Sequence, residues 1–225
     1  MKYLFTLISF TLIFSACNNA GNQTESESQS SDAMKSSSSS ETCTYEFDRA
    51  NTKVAWTAYK TNEKIGVGGE FTEFEVTVPE SSSNMLDIVN GAEFKIPVSS
   101  TETKNEDRNM KIVKYFFGVL TGTDHITGQI TSLDGDDKSG TAKVMLNINS
   151  MSNSVDMQYS IEGETITLKE DIDVTKWNAQ SGIDSLNQVC YDLHKGADGV
   201  SKLWPNVSLS ITSTFNKDCQ TAELP

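Results

Sequence analysis

Few residues in this chain combine the type and the spacing that chemistry needs. In "DLHKGAD", Asp192, His194 and Asp198 stand close together, a set that would suit a metal ion or an acid–base step. A metal would need those ligands to converge and to be oriented by further hydrogen bonds. The other histidine, His125, follows Asp124. No C-x-x-C or H-x-x-x-H spacing is present, so nothing has the form of a zinc site. There is no Gly-x-Ser-x-Gly elbow and no His-Glu-x-x-His. "GVGG", Gly66 to Gly69, lacks the Lys-Ser/Thr of a phosphate loop and reads as a Gly-rich hairpin turn. Arg49 and Arg108 are the only arginines. An arginine can hold an anionic headgroup bidentately, although a structural ion pair is its commoner use. These residues point to no catalysis, no metal and no other cofactor.

The cysteines speak to location. Lys2 is followed by an apolar run, Tyr3 to Phe14, and then by Ser15, Ala16 and Cys17. About a dozen apolar residues are too few to span a membrane, which takes about 20. The arrangement is that of a secretory signal peptide over residues 1–16. With cysteine at the cut it resembles a bacterial lipobox, with Phe14 where leucine is usual. Cys17 is then the lipidation point, and the alternative is an ordinary signal peptide that contains a cysteine. Residues 17–42 read as the lipidated cysteine and a disordered tether rich in Ser, Asn, Gln and Glu. Such a leash has an r.m.s. reach of roughly 25–30 Å and a limit near ~85 Å. Asn19 is not the aspartate that resembles an inner-membrane retention signal. The expected address is therefore the cell envelope, lipid-anchored to the outer membrane on its periplasmic face or at the cell surface.

Residues 43–225 are long enough for one domain with a full core. The formal charge of -13 argues against nucleic acid as a partner. Cys43 precedes the first strand of this domain and Cys219 follows the last. If those strands pair antiparallel, a Cys43–Cys219 disulfide is feasible, leaving Cys190 free and facing the core.

The elements that must position these residues are mostly strands, because the hydrophobic period is mostly two. "TKVAWTAYK" and "GGEFTEFEVTV" lead. "AEFKIPVSS" follows, with Pro97 marking an edge or bulge. "HITGQITSL", "GTAKVMLNINS", "VDMQYSIEG", "ETITLKEDIDVTKW" and "PNVSLSITSTF" complete about eight strands. One face is apolar throughout, as in an antiparallel barrel or sandwich. Two stretches take helical spacing instead. "NEDRNMKIVKYFFGVL" offers Asn105 as N-cap and acidic residues in its first turn. "DSLNQVCYDLHKG" ends at Gly196 as a C-cap. Phe116 and Phe117, about 100° apart on a helix, should send one ring inward and the other elsewhere.

This order of elements resembles the YceI family of lipocalin-like proteins. "YEFDRANTKVAWTAYK" is similar to the family's opening strand, and "KIGVGGEFTEF" to the turn and strand that follow. "TETKNEDRNMKIVKYFF" is similar to its arginine-led helix with paired phenylalanines, and "ITGQI" to the next strand. "DLHKGADGVSKLWPNVSLSIT" resembles a version found in tethered lipoprotein members from Bacteroidota-like bacteria. The likeness covers Tyr45 to Phe215. It departs in its longer acidic loops and at "IDVTKWNAQSGID", which bears on the ligand more than on the fold.

The resemblance implies an all-β fold, an antiparallel eight-stranded lipocalin-like barrel with two short helices. It also implies a long apolar channel holding an isoprenoid or other lipid. Trp56, Phe71, Phe74, Phe94, Phe116, Phe117, Leu120, Leu146, Trp177, Trp204 and Leu209 would line it. The same side chains would serve equally to fill a core, giving a structural lipoprotein that binds another envelope protein. The size of the inward residues decides which.

Overall fold

In the computed structural model, residues 41–221 are described. The signal peptide, Cys17 and the expected tether up to residue 40 lie outside them. Glu41 and Thr42, assigned above to the tether, open the first strand, β1 (Glu41–Glu46). There follow β2 (Thr52–Lys60), β3 (Ile65–Phe71), β4 (Glu75–Thr77), α1 (Met85–Val89), β5 (Glu93–Pro97), β6 (Thr101–Glu102) and α2 (Glu106–Lys111). The second half comprises β7 (His125–Gly135), β8 (Ser139–Ile148), β9 (Met151–Glu162), β10 (Thr165–Asp173), α3 (Gln180–Val189), β11 (Leu203–Thr214) and β12 (Asn216–Thr221).

Ten strands form one curled antiparallel sheet in the order β4-β5-β7-β8-β9-β10-β11-β2-β3-β6. The count is ten where the sequence led to eight, because two passes of the chain are each interrupted. One breaks between β3 and β4 at residues 72–74. The other breaks between β5 and β6 at the 3-10 turn Val98–Ser100, just after Pro97, which has no N–H to extend the ladder. The two breaks lie side by side: Thr72 N donates to Ser100 O (3.0 Å), and Ser100 Oγ donates to Glu73 O (3.1 Å). The polar groups freed by the interruptions are thus paired with each other.

The wall follows the period-two rule. Along β8 and β9, Val144, Leu146, Ile148, Val155, Met157 and Tyr159 are buried, and most residues between them are exposed. Each large apolar side chain so buried contributes about 1.5–3 kcal/mol.

The connections gather at two ends, which we call floor and roof. At the floor, β1 pairs with β12, and Cys43 sits opposite Cys219, joined to it by a disulfide. Phe47 and Phe215 meet edge to face there, with centroids 6.2 Å apart. The helix α1, absent from the sequence reading, buries Met85, Ile88 and Val89, and Asn84 Oδ1 caps it by accepting from Leu86 N (2.9 Å). Only five residues long, it shows too little periodicity to be read from pattern.

At the roof lie α2 and α3. Asn105 caps α2 as expected, its Oδ1 accepting from Arg108 N (2.9 Å), with Glu106 and Asp107 in the first turn. The helix then widens to a π-turn over Ile112–Phe116 and tightens to 3-10 over Phe117–Val119. α3 ends at Cys190 and narrows to a 3-10 turn, Tyr191–His194. Gly196 is not its C-cap. It belongs to a small turn in which its N–H donates to Val200 O (3.1 Å).

Candidate functional site

The inward faces of the sheet enclose a cavity of about 460 Å³, within the roughly 300–1,000 Å³ of small-molecule sites. Of the lining expected from sequence, Trp56, Phe71, Phe74, Phe94, Phe116, Phe117, Leu146, Trp204 and Leu209 are present. Leu120 and Trp177 are not. Trp177 is only 1% exposed, and its Nε1 donates to Leu146 O (2.9 Å). An indole N–H seeks an acceptor when buried, and it finds one on the wall backbone rather than in the lumen. Leu120 closes the 3-10 turn, its N–H on Phe117 O (3.0 Å), and is buried under the roof.

Two aromatics keep the lumen open by lying across glycines. Trp56 of β2 is the cross-strand partner of Gly69 on β3, and Phe94 of β5 that of Gly128 on β7. A Cβ on either glycine would overlap the ring opposite, so only glycine lets these rings lie against the wall. "GVGG" is therefore strand, not the turn expected from composition. The turn lies earlier, at residues 61–64, where Thr61 and Lys64 take positive φ. Trp56 Nε1 is buried with no hydrogen-bond partner among the described residues.

Phe116 and Phe117 both line the cavity, their rings edge to face with centroids 4.9 Å apart. The expected split of the two rings does not arise, because the helix changes from π to 3-10 between them and alters the angle per residue. Gly182 of α3 packs against Phe116, leaving no room for a side chain there.

Among the described residues, the charge that lines the cavity is confined to the roof. Lys60, Asp107, Arg108 and Lys111 are the charged residues lining the cavity, beside Asn105, Cys190 and His194. Lys111 pairs with Asp107 at 2.7 Å, and Lys60 Nζ donates to Leu193 O (2.7 Å). The His194 ring Nδ1 meets Asn187 Oδ1 at 2.9 Å. Burial, with Lys60 nearby, pulls His194 from its ordinary 6.5 down to about 4, so it stays neutral at pH 7. Burial pushes the Cys190 thiol up, against the opposing pull of Lys111, Lys60 and Arg108.

The chemistry first looked for does not assemble. Asp192 pairs with Lys195 at 2.7 Å, while Asp198 accepts from Val200 N (3.0 Å) and from Asn62. Neither carboxylate converges with His194. His125 is exposed at the start of β7. Glu41 approaches Cys43 and Cys219, but both sulfurs are committed to the disulfide. Arg49 is structural: its Nε donates to Phe74 O (2.8 Å), and its guanidinium lies 5.1 Å from the center of that ring. Of the charged residues at the mouth, sequence reasoning singled out only Arg108. Lys60, Asp107 and Lys111 carried no signal, because the partners that define their place lie far away in the chain.

Comparison with solved structures finds the same fold at low identity. A polyisoprenoid binding domain from Saccharophagus degradans, implicated in plant cell wall breakdown, aligns with TM-score 0.54 and 11% identity over 79% of this chain and 99% of its own. BcnA of Burkholderia cenocepacia aligns with TM-score 0.53 and 16% identity, over 75% of this chain and 100% of its own. A search of curated proteins finds no match. The family model for the YceI-like domain matches residues 45–215, a span that takes in every strand of the curled sheet and both roof helices. The chain belongs to the YceI-like domain family.

Proposed function

We propose that this protein binds a long apolar ligand, an isoprenoid or other lipid chain, in its lumen and carries it in the cell envelope without catalysing a reaction. The observation that carries this reading is the open apolar cavity, with aromatic rings packed over Gly69 and Gly128 of its wall. The polyisoprenoid binding recorded for the Saccharophagus domain supports the ligand class. Each CH₂ buried contributes about 0.8 kcal/mol. A dozen carbons therefore gain roughly 10 kcal/mol before the cost of association, put at about 4–15 kcal/mol. Affinity for a chain alone is modest, which suits a carrier that must release its cargo.

The reading includes acylation at Cys17, a flexible tether and attachment to the outer membrane. The support for these is the sequence pattern of the first forty-two residues. The alternative, a filled barrel acting as an adaptor for another envelope protein, needs an interior without space, and a cavity of about 460 Å³ does not meet that need.

The test is organic extraction of the protein purified from its native host, followed by mass spectrometry. A stoichiometric lipid or isoprenoid is expected. Recovery of none, together with failure of any apolar probe to bind, overturns the reading.

A further inference from the structure

Building on the lipid-binding reading, we infer that the ligand is an amphiphile with an anionic head, and that Lys60 and Arg108 hold this head at the roof while its chain lies in the lumen. The wall below the roof presents no charged side chain to the cavity. At the roof, three cations face one carboxylate, in a chain whose overall charge is -13. A local excess of positive charge therefore runs against the composition of the molecule.

Asp107 is already matched by Lys111, its partner at 2.7 Å. Among the described residues, Lys60 and Arg108 are left without a counter-charge. Lys60 spends one of its ammonium protons on Leu193 O and keeps two for another acceptor. Arg108 is exposed, and its guanidinium makes no hydrogen bond or ion pair with any described residue. Arg49, the only other arginine, is fully engaged by Phe74.

Lys60, Arg108 and Lys111 line the same cavity, together with Cys190. A guanidinium fork beside an ammonium matches the oxygens of a carboxylate or a phosphate. A hydroxyl head would leave both cations as they are. Since bonds to charged partners are about twice as strong as neutral ones, the anionic head should gain about tenfold in affinity.

The experiment uses the full chain and the neutral fluorescent probe N-phenyl-1-naphthylamine, displaced at pH 8 by dodecanoate, dodecyl phosphate or dodecanol. The two anions share the recognition chemistry, and the separate arms show which head is preferred. At least one anion should displace the probe at about tenfold lower concentration than dodecanol. Arg108→Gln, alone and with Lys60→Gln, should remove that advantage, so that neither anion displaces the probe better than dodecanol. Since Arg108 is exposed, its replacement keeps the fold, and circular dichroism checks this. Equal displacement by all three ligands in the native protein overturns the inference while leaving the lumen reading intact. So does an anion preference that survives both substitutions. If no twelve-carbon ligand displaces the probe, the inference and the lumen reading fall together.

Discussion

The floor and the roof close the same sheet by different means. The floor is built of apolar surface and a covalent bond: Phe215 is 4% exposed, Ile88 is fully buried, and Cys43 is bonded to Cys219. The roof leaves Leu193 60% and Met110 55% exposed, and α2 buries none of its residues. It also holds a buried histidine and, among the described residues, all the charge that lines the lumen. A packed end resists opening, because every displaced side chain returns to water. An end held by short helical turns and hydrogen bonds opens at lower cost. The contrast makes the roof the end that opens at lower cost and the floor the rigid one.

The largest expected effect tests that contrast directly. Phe215→Ala should cost about 3–5 kcal/mol in urea unfolding, the usual loss for a buried aromatic. Leu193→Ala should stay within about 0.5 kcal/mol. Similar losses at both positions would erase the distinction between the ends.

Gly69→Ala forces the Trp56 ring off the wall. Overpacking of this kind costs about 1–3 kcal/mol, and the displaced indole should narrow the lumen and weaken binding of a neutral apolar probe. A stability loss with unchanged probe binding would show that the ring does not bound the ligand space.

Acid should act on the roof. His194 stays neutral in the folded protein down to about 4, whereas the unfolded chain takes up a proton near 6.5. Its contribution is therefore complete above about pH 6.5 and is lost as pH falls toward 4. The loss is on the order of 3 kcal/mol, or roughly 6–12 °C in Tm for a domain of this size. His194→Asn should flatten that part of the Tm–pH profile. The smallest effect is Asn105→Ala, which removes the cap of α2 and should cost about 1 kcal/mol. Amide exchange should speed up in α2 and remain unchanged in α1.

The wall was more legible in the sequence than either end. Alternation along "GTAKVMLNINS" and "VDMQYSIEG" marked the inward residues of β8 and β9, because burying one face imposes period two on the chain. Asn105 was legible as a cap for an equally local reason. The breaks at residues 72–74 and 98–100 were not, apart from Pro97, since each is stabilised by hydrogen bonds to the other across the sheet. Gly69 misled because a glycine's local meaning is a turn, while its use here depends on Trp56, its partner across two strands. Trp177 misled for a similar reason: its size said buried, and only the carbonyl of Leu146 said where. The mouth joins Lys60, Arg108 and Cys190 from distant parts of the chain, and residue spacing holds no trace of such a meeting.

The ribbon of β1 and β12 also has a mechanical consequence. Any pull on the chain ahead of Glu41 enters the described residues at the floor, through β1. Within two residues the load meets Cys43 and passes through a covalent bond to Cys219, and so to β12 and the end of β11. The load is thus shared by the strands that follow β1 and precede β12, namely β2 and β11, which pair with each other in the curled sheet. The roof helices stand at the opposite end of those strands, away from the bonded cysteines.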